Sequence, residues 1–324
     1  MDGILNGKAY GSVAQRLLAN GLSVNGLRTN ATLLKDEWKA YDATVVESAK
    51  SRLVGVADLM SRGLVFNLGA NGLGTTILET QTQSDVEEAQ VSMAGVTEGK
   101  NDRQDYGIEY LPLPITHYDF FINIRSLMAS RKMGYPQDTT RAAIAARKVA
   151  EKLEQYLFQG SGGFTFGGGT IYGYMNHPSR NTATLTTQWT NVAKTGEDIL
   201  NDVIGMKSKI NADLHFGPFV LYVPTAYEAV LDKDFKANSD LTVRQRLLQL
   251  ASVQKVKVAD SLTNHNVILA QMTADTVRMV EGLPVTTVEW EEKGGMVTNF
   301  KVMTINVPQL RADYNGNMGI CHLA

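Results

Sequence analysis

The sequence predicts an α+β fold, because strand and helix signals interleave irregularly along its 324 residues instead of repeating as βαβ units. Three observations carry that reading. Asp138 to Gln159 holds the longest apolar stripe of helical period in the chain. Residues 75–125 carry two long strand patterns with a polar stretch between them. Residues 253–313 run through strand after strand, with a Lys293-Gly294-Gly295 hairpin turn near the middle.

Taken in order, residues 1–34 are rich in Gly and Asn and read as an extended arm with little core of its own. Residues 36–62 are helical, with Trp38, Tyr41, Val45, Ala49, Leu53 and Val56 on one face and Gly63 as the stop. Leu64–Phe66 is a short strand. The segment GANGLG at 69–74 is a turn and not a phosphate loop, since no Lys-Ser or Lys-Thr pair follows it. TTILETQTQ and IEYLPLPITHYDFFINI are the two long strands of a hairpin. Between Glu79 and Glu109 eight acids face two bases, so this hairpin is strongly acidic. Too poor in apolar residues to stand alone, it must lie on another surface or be mobile.

From Arg125 to Leu157 the balance reverses, with seven bases against three acids. Asp138 or Thr139 caps the long helix by accepting from its unpaired first-turn amides. Its stripe is Ala142, Ala145, Ala146, Val149, Leu153, Tyr156 and Leu157. Arg141, Arg147, Lys148, Glu151, Lys152 and Glu154 lie off it, and Gly160 ends it. About 22 residues at 1.5 Å each make a rod of roughly 33 Å. Opposite charge predicts that Asp85, Glu87, Glu88, Glu98, Asp102 and Asp105 dock on Arg141, Arg147, Lys148 and Lys152, either within one subunit or, more naturally for a projecting hairpin, on a neighbour. Exposed pairs contribute only about 0–1 kcal/mol each, so they set register more than strength.

The glycine-rich loop 160–169 reads as a tight hairpin with close backbone approach, serving as a hinge between two domains, and IYGYMNHPSRNT after it as a strand with a turn at His177-Pro178. Thr195 and Asp198 form a capping box for a helix whose stripe is Ile199, Val203, Met206 and Ile210. FVLYV is a buried strand, and Pro224 starts the helix TAYEAVLD. A further helix covers 242–251. Separate strands follow at VQKVKV, NVILAQM, TVRMVEG, LPVTTVEW, MVTNFKVMTINV and 307–313.

Composition narrows the function. A net charge of −2 argues against a nucleic-acid binder working through a basic face. The single cysteine, Cys321, excludes a disulfide framework and any multi-cysteine zinc site. No secretory signal and no membrane span is read from the chain. Gly160–Gly169 follows a helix instead of opening one and lacks a phosphate-loop ending. The five histidines are scattered without metal-ligand spacing, and Ser161 and Ser179 lack the nucleophile-elbow context. Cys321 and His322, adjacent on a strand, point to opposite faces. No catalytic, cofactor or metal site is expected, and the chain is not expected to be an enzyme.

With those residues in view, YLPLPITHYDFFINIRSL, AARKVAEKLEQYLFQG with the following IYGYMNHP turn, and VTNFKVMTINVPQLRA resemble the major capsid proteins of tailed phages with the Hong Kong 97-type fold, and their encapsulin branch. The resemblance spans roughly residues 35–324 and is one of pattern, without a catalytic motif. It implies an arm and helix over 1–74, and an extended E-loop hairpin with P-domain strands over 75–125. It places the P-domain spine helix and glycine loop at 126–169, an A-domain at 170–300, and a C-terminal strand returning to the P-domain at 301–324. Such a subunit self-assembles through hexamers and pentamers into an icosahedral head in the host cytoplasm. Its other partners are portal, scaffold and decoration proteins and non-specifically held double-stranded DNA, without a membrane, and its final place is the virion. The alternative is an encapsulin shell around an enzyme cargo. Some relatives cross-link Lys to Asn, and Lys100 with Asn101 are the candidates here, read instead as a solvated turn.

Overall fold

A computed structural model describes residues 53–69, 72–84, 93, 105–126, 140–236, 240–263 and 265–324, and in it two sheets meet along one long helix. The first sheet has the order Val65–Asn67 (β1), Val277–Glu292 (β11), Val297–Leu310 (β12) and Thr116–Asn123 (β4). It is built on the hairpin of β11 (Val277–Glu292) and β12 (Val297–Leu310), which turns through Lys293, Gly294 and Gly295 at φ 52°, 68° and 82°. Each of these strands was expected as two. TVRMVEG and LPVTTVEW are one strand because the register irregularity between Glu281 and Thr286 absorbs Pro284, which has no N–H to give a ladder. Residues 307–310 likewise continue β12.

The run IEYLPLPITHYDFFINI, expected as one strand, is two. β3 (Tyr106–Pro112) pairs with β2 (Ile77–Gln83), whereas β4 (Thr116–Asn123) pairs with β12 in the first sheet. Pro112 and Pro114 cannot donate to a ladder, and the chain changes sheets there. On the far edge β1 (Val65–Asn67) runs parallel to β11. The helix expected over 36–62 is not continuous: Leu53 and Val54 are not helical, and α1 starts afresh at Gly55 and runs to Ser61, its first amides held by Glu154.

The spine helix α2 spans Thr140–Gln159. Ala142, Ala145, Ala146, Val149, Leu153 and Leu157 are buried, packed with Phe120 and Ile122 of β4 and Phe300 and Val302 of β12. The expected caps, Asp138 and Thr139, lie outside the described residues. Gly160 takes φ 75° and stops the helix, and the N–H groups of Tyr174 and Met175 satisfy the late carbonyls of Leu157 and Phe158.

The second sheet has the order β7-β13-β10-β8-β9, from Asn181–Ala183, Ile320–Leu323, Val267–Gln271, Phe219–Val223 and Val253–Val258. Every residue of β8 is buried, which explains its unbroken apolar run. Phe219, Leu221 and Val223 face α3 (Gly196–Ala212), whose buried stripe is Ile199, Val203, Met206 and Ile210. Val220 and Tyr222 face the spine core instead. Both capping boxes, Thr195 with Asp198 on α3 and Thr242 with Gln245 on α5 (Val243–Leu248), form in full. A short α4 (Glu228–Leu231) lies between them in sequence. Sheet membership crosses the expected boundary at residue 300. β11, inside 170–300, belongs to the first sheet, and β13, inside 301–324, belongs to the second.

Candidate assembly surface

β2 and β3 form a sheet of their own, in continuous register from Ile77↔Pro112 to Gln83↔Tyr106. Its base is anchored. Leu78, Leu111 and Leu113 join a core with Ile171, Val280, Leu283 and Val307, and Gln309 donates to the Thr80 hydroxyl at 2.8 Å. The glycine-rich segment completes that anchor. β5 (Thr165–Phe166) and β6 (Gly169–Thr170) turn through Gly167 and Gly168 at φ 58° and 82°, values glycine adopts freely. A Cβ at Gly169 would sit 2.2 Å from the Tyr110 carbonyl oxygen. The expected tight hairpin and close backbone approach are both present, and the segment is a packed brace against β3 in place of the expected hinge.

Beyond the base, Tyr106, Ile108 and Tyr110 alternate onto one face of β3 and are 62%, 54% and 41% exposed. Gln83, Gln81 and Glu79 stand opposite them. Burial raises the Glu109 carboxyl above its ordinary 4.5, with Arg311 acting against that. A two-stranded hairpin with an uncovered apolar stripe is marginal alone and gains stability by being covered.

Of the acids expected to dock, Asp85, Glu87, Glu88, Glu98 and Asp102 lie outside the described residues. Asp105 is exposed at the start of β3, where its N–H donates to the Ser84 hydroxyl at 3.0 Å. On the spine, Arg141 donates to the Phe121 carbonyl at 2.7 Å. Arg147 and Lys148 approach Glu151 at 3.6 and 2.8 Å, and Lys152 donates to Gln155 at 3.0 Å. Among the described residues no ion pair joins Asp105 to these four bases within one copy. Exposed Ile144 lies between Arg141 and Lys148 on the same face.

Glu154 does not lie on that outer face. It is buried, and its carboxylate accepts the N–H groups of Val54, Gly55 and Val56 at 3.2, 2.6 and 3.2 Å, holding the N-terminus of α1. Burial raises its pKa above 4.5, while the three amides and Lys257 pull it back. Asp58 of α1, also buried, takes Lys257 at 2.9 Å, Lys255 at 3.3 Å and the Tyr222 hydroxyl at 3.2 Å. Burial pushes the phenols of Tyr222 and Tyr174 beside them upward. Sequence reasoning missed this knot of α1, α2 and the second sheet. The signal was Glu154 standing four residues from both Ala150 and Phe158 in a buried row.

Arg180 organises a second polar cluster, donating to the His177 carbonyl at 2.9 Å and toward His322 Nδ1 at 3.4 Å, while His322 Nε2 meets Asn266 Oδ1 at 2.8 Å. Burial and the Arg180 charge lower both histidines to about 4. Burial lifts the Cys321 thiol to about 12, which disfavours its thiolate. Among the described residues no group of three His, Cys, Asp or Glu side chains could hold a metal, and no helix is long and apolar enough to cross a membrane.

The model of the family described as a family of unknown function (DUF6260) matches residues 25–323. The type 1 encapsulin shell protein EncA of Myxococcus xanthus (strain DK1622) is 24% identical over 220 residues, 68% of this chain and 70% of that protein. In three dimensions the chain is similar to the virus-like particle from Pyrococcus furiosus, with TM-score 0.64 and 16% identity over 88% of this chain and 98% of that one. It is also similar to the capsid of Myoviridae phage XM1, with TM-score 0.61 and 10% identity over 77% of this chain and 85% of that one. The α+β fold is that of Hong Kong 97-type capsid and encapsulin-like shell subunits, as the sequence resemblance implied.

Proposed function

We propose that this chain, which belongs to the family of unknown function DUF6260, is the repeating subunit of an icosahedral protein shell and not an enzyme. The observation that carries the proposal is the β2–β3 hairpin, which forms a sheet of its own outside the two larger ones and exposes Ile108 and Tyr110 on one face. In this reading the hairpin of 75–125 reaches over a neighbour's spine. Asp85, Glu87, Glu88, Glu98, Asp102 and Asp105 then meet Arg141, Arg147, Lys148 and Lys152 across the boundary. The first sheet with α2 serves as the P-domain and the second with α3 as the A-domain, and residues 1–74 contribute the N-terminal arm and helix.

The finer reading is a phage head built of hexamers and pentamers around double-stranded DNA, with portal, scaffold and decoration partners, ending in the virion. Similarity to the XM1 capsid supports it. A near-neutral chain also suits a container that must not grip packed DNA tightly. An encapsulin compartment around an enzyme cargo is the second reading, favoured by the encapsulin relative.

The test is to purify particles from cells that make the chain natively, treat them with nuclease, and image and extract them. Nuclease-protected double-stranded DNA in the particles supports the phage head. Protected protein without DNA supports the compartment, and a monodisperse monomer that never assembles sinks both. The docking itself is tested by Arg147→Glu with Lys148→Glu, expected to reduce correct assembly most at low salt. Unchanged assembly and salt response would count against it.

A further inference from the structure

Arg180 stands where the cap of the spine helix meets the edge of the second sheet. It directly precedes β7, the edge strand, and follows the turn that begins at His177. Its Nη1 donates to the His177 carbonyl at 2.9 Å, and its Nε donates toward Nδ1 of His322 at 3.4 Å. His322 lies on β13 opposite Thr182, within the pairing that runs from Asn181↔Cys321 to Ala183↔Leu323. The Leu185 N–H closes that pairing on the Ala324 carbonyl at 2.8 Å. On the other side of Arg180, the His177 N–H returns to the Gly173 carbonyl at 3.1 Å, next to the Tyr174 and Met175 amides that cap α2. One side chain thus joins the two regions.

Both imidazoles are buried and held in a fixed tautomer. Asn266 donates through Nδ2 to the carbonyl and hydroxyl of Thr263 at 3.3 and 2.7 Å, which turns its Oδ1 to Nε2 of His322 at 2.8 Å. A carbonyl oxygen only accepts, so His322 carries its proton on Nε2 and offers Nδ1 to Arg180. His177 Nδ1 accepts the Ser179 N–H at 3.2 Å, so its proton is on Nε2 as well. A second proton on either ring must go to Nδ1, where it meets a donor. For His322 that donor is the Arg180 guanidinium, a like charge. Arg180 is also the charged group that acts on both rings. Lys209 and Asp213 of α3 act on Cys321, which faces the other side of β13, and Glu109 of β3 borders the cavity that His177 lines beside Tyr172. Among the described residues no carboxylate pairs with either imidazole.

We propose that Arg180 with His177 and His322 forms an acid-operated latch, which on proton uptake releases β7 and the outer side of β13 while β10, β8 and β9 stay folded. Burial and the Arg180 charge hold both histidines at about 4 against an ordinary 6.5, so an opened segment takes up protons that the closed one refuses. The release is local because β7 is three residues long, stands at the edge, and pairs with β13 alone. The latch belongs to the subunit, so it stands whether or not copies form a shell.

The test is hydrogen exchange of the wild-type chain, read by mass spectrometry at about pH 7.5 and about pH 5.5, with labelling times scaled for the intrinsic exchange rate. Opening of residues 177–185 and 320–324 should increase about tenfold through His177 and by less through His322, whose surroundings are more open. Residues 219–223 and 267–271 should show no such increase. The double variant His177→Asn with His322→Gln keeps an acceptor and a donor at each position without a titrating group, and should lose the response. Opening that is equal at both pH values, or that rises equally in β8 and β10, overturns the latch, as does a folded double variant with the full response. Where the double variant does not fold, His322→Gln alone carries the same test, a reduced response supporting the latch and an unreduced one overturning it.

Discussion

Replacing Glu154 by alanine tests whether the knot at the root of the spine holds α1 in place. The carboxylate accepts three consecutive backbone N–H groups, the shortest at 2.6 Å. Alanine leaves those buried donors without an acceptor, and each orphaned group costs about 1–3 kcal/mol. The sum is offset by relief of a buried charge, so the expected net loss is about 3–5 kcal/mol. Glutamine keeps one acceptor oxygen and removes the charge, and should lose about 1–2 kcal/mol. The sign with pH follows from the raised pKa. The folded chain binds this proton more tightly than the unfolded chain, so the contribution is full below 4.5 and falls as the pH rises through the folded value. Urea unfolding of the subunit, followed by circular dichroism from pH 4 to 8, reads both effects for wild type, Glu154→Gln and Glu154→Ala. An alanine variant within about 1 kcal/mol of wild type, or a glutamine variant as damaged as alanine, would refute the reasoning.

Three further outcomes are expected. His177 and His322 are held near 4 against an ordinary 6.5, so the unfolded chain takes up protons first. Stability from them is full above pH 6.5 and is lost as pH falls toward 4, by about 2 kcal/mol for His177 after solvent screening and less for His322; His177→Asn should flatten that part of a Tm-versus-pH curve. Gly169→Ala drives a methyl group against the Tyr110 carbonyl and should lower stability by about 1–3 kcal/mol in thermal unfolding, with an unchanged Tm arguing against the brace. Leu214 holds φ 64° just after α3, so Leu214→Gly should stabilise the isolated subunit by about 1 kcal/mol, and a subunit no more stable than wild type would remove that strain argument.

The elements that the sequence made legible are those whose local signals agree with their tertiary role. The α3 stripe and capping box, the all-apolar β8 and the Lys293–Gly295 turn each state their structure in a few residues. Errors fell where a long-range partner decides. Pro284 reads as a strand break, yet β12 carries the ladder past it through a register irregularity. The prolines around Leu113 were passed over, although they separate a strand of the hairpin from a strand of the first sheet. Glu154 reads as a surface charge because helical periodicity cannot reveal that α1 presents three amides to it from about 100 residues away. Of the residues in the proposed docking, the four bases Arg141, Arg147, Lys148 and Lys152 and the acid Asp105 are described. Most of the acidic half falls on 85–104, of which only Met93 is described.

Charge alone cannot supply the strength of the proposed docking. Arg147 and Lys148 already approach Glu151, and Arg141 already holds the Phe121 carbonyl. A hairpin carboxylate therefore exchanges one exposed partner for another, a gain of about 0–1 kcal/mol at most for each. The apolar contribution is larger. Tyr106, Ile108 and Tyr110 on the hairpin, with Ile144 set among the spine's bases, each have a large uncovered area. At about 25 cal/mol per Å² removed from water, covering such side chains contributes roughly 1 kcal/mol or more apiece. High salt should therefore slow or misregister assembly while leaving finished particles intact, whereas Ile108→Ser with Tyr110→Ser should weaken finished particles at every salt concentration. Light scattering across a salt series separates the two. Finished particles that dissolve in about 1 M salt, where the screening length is about 3 Å, would place the strength in the ion pairs and overturn this division of roles.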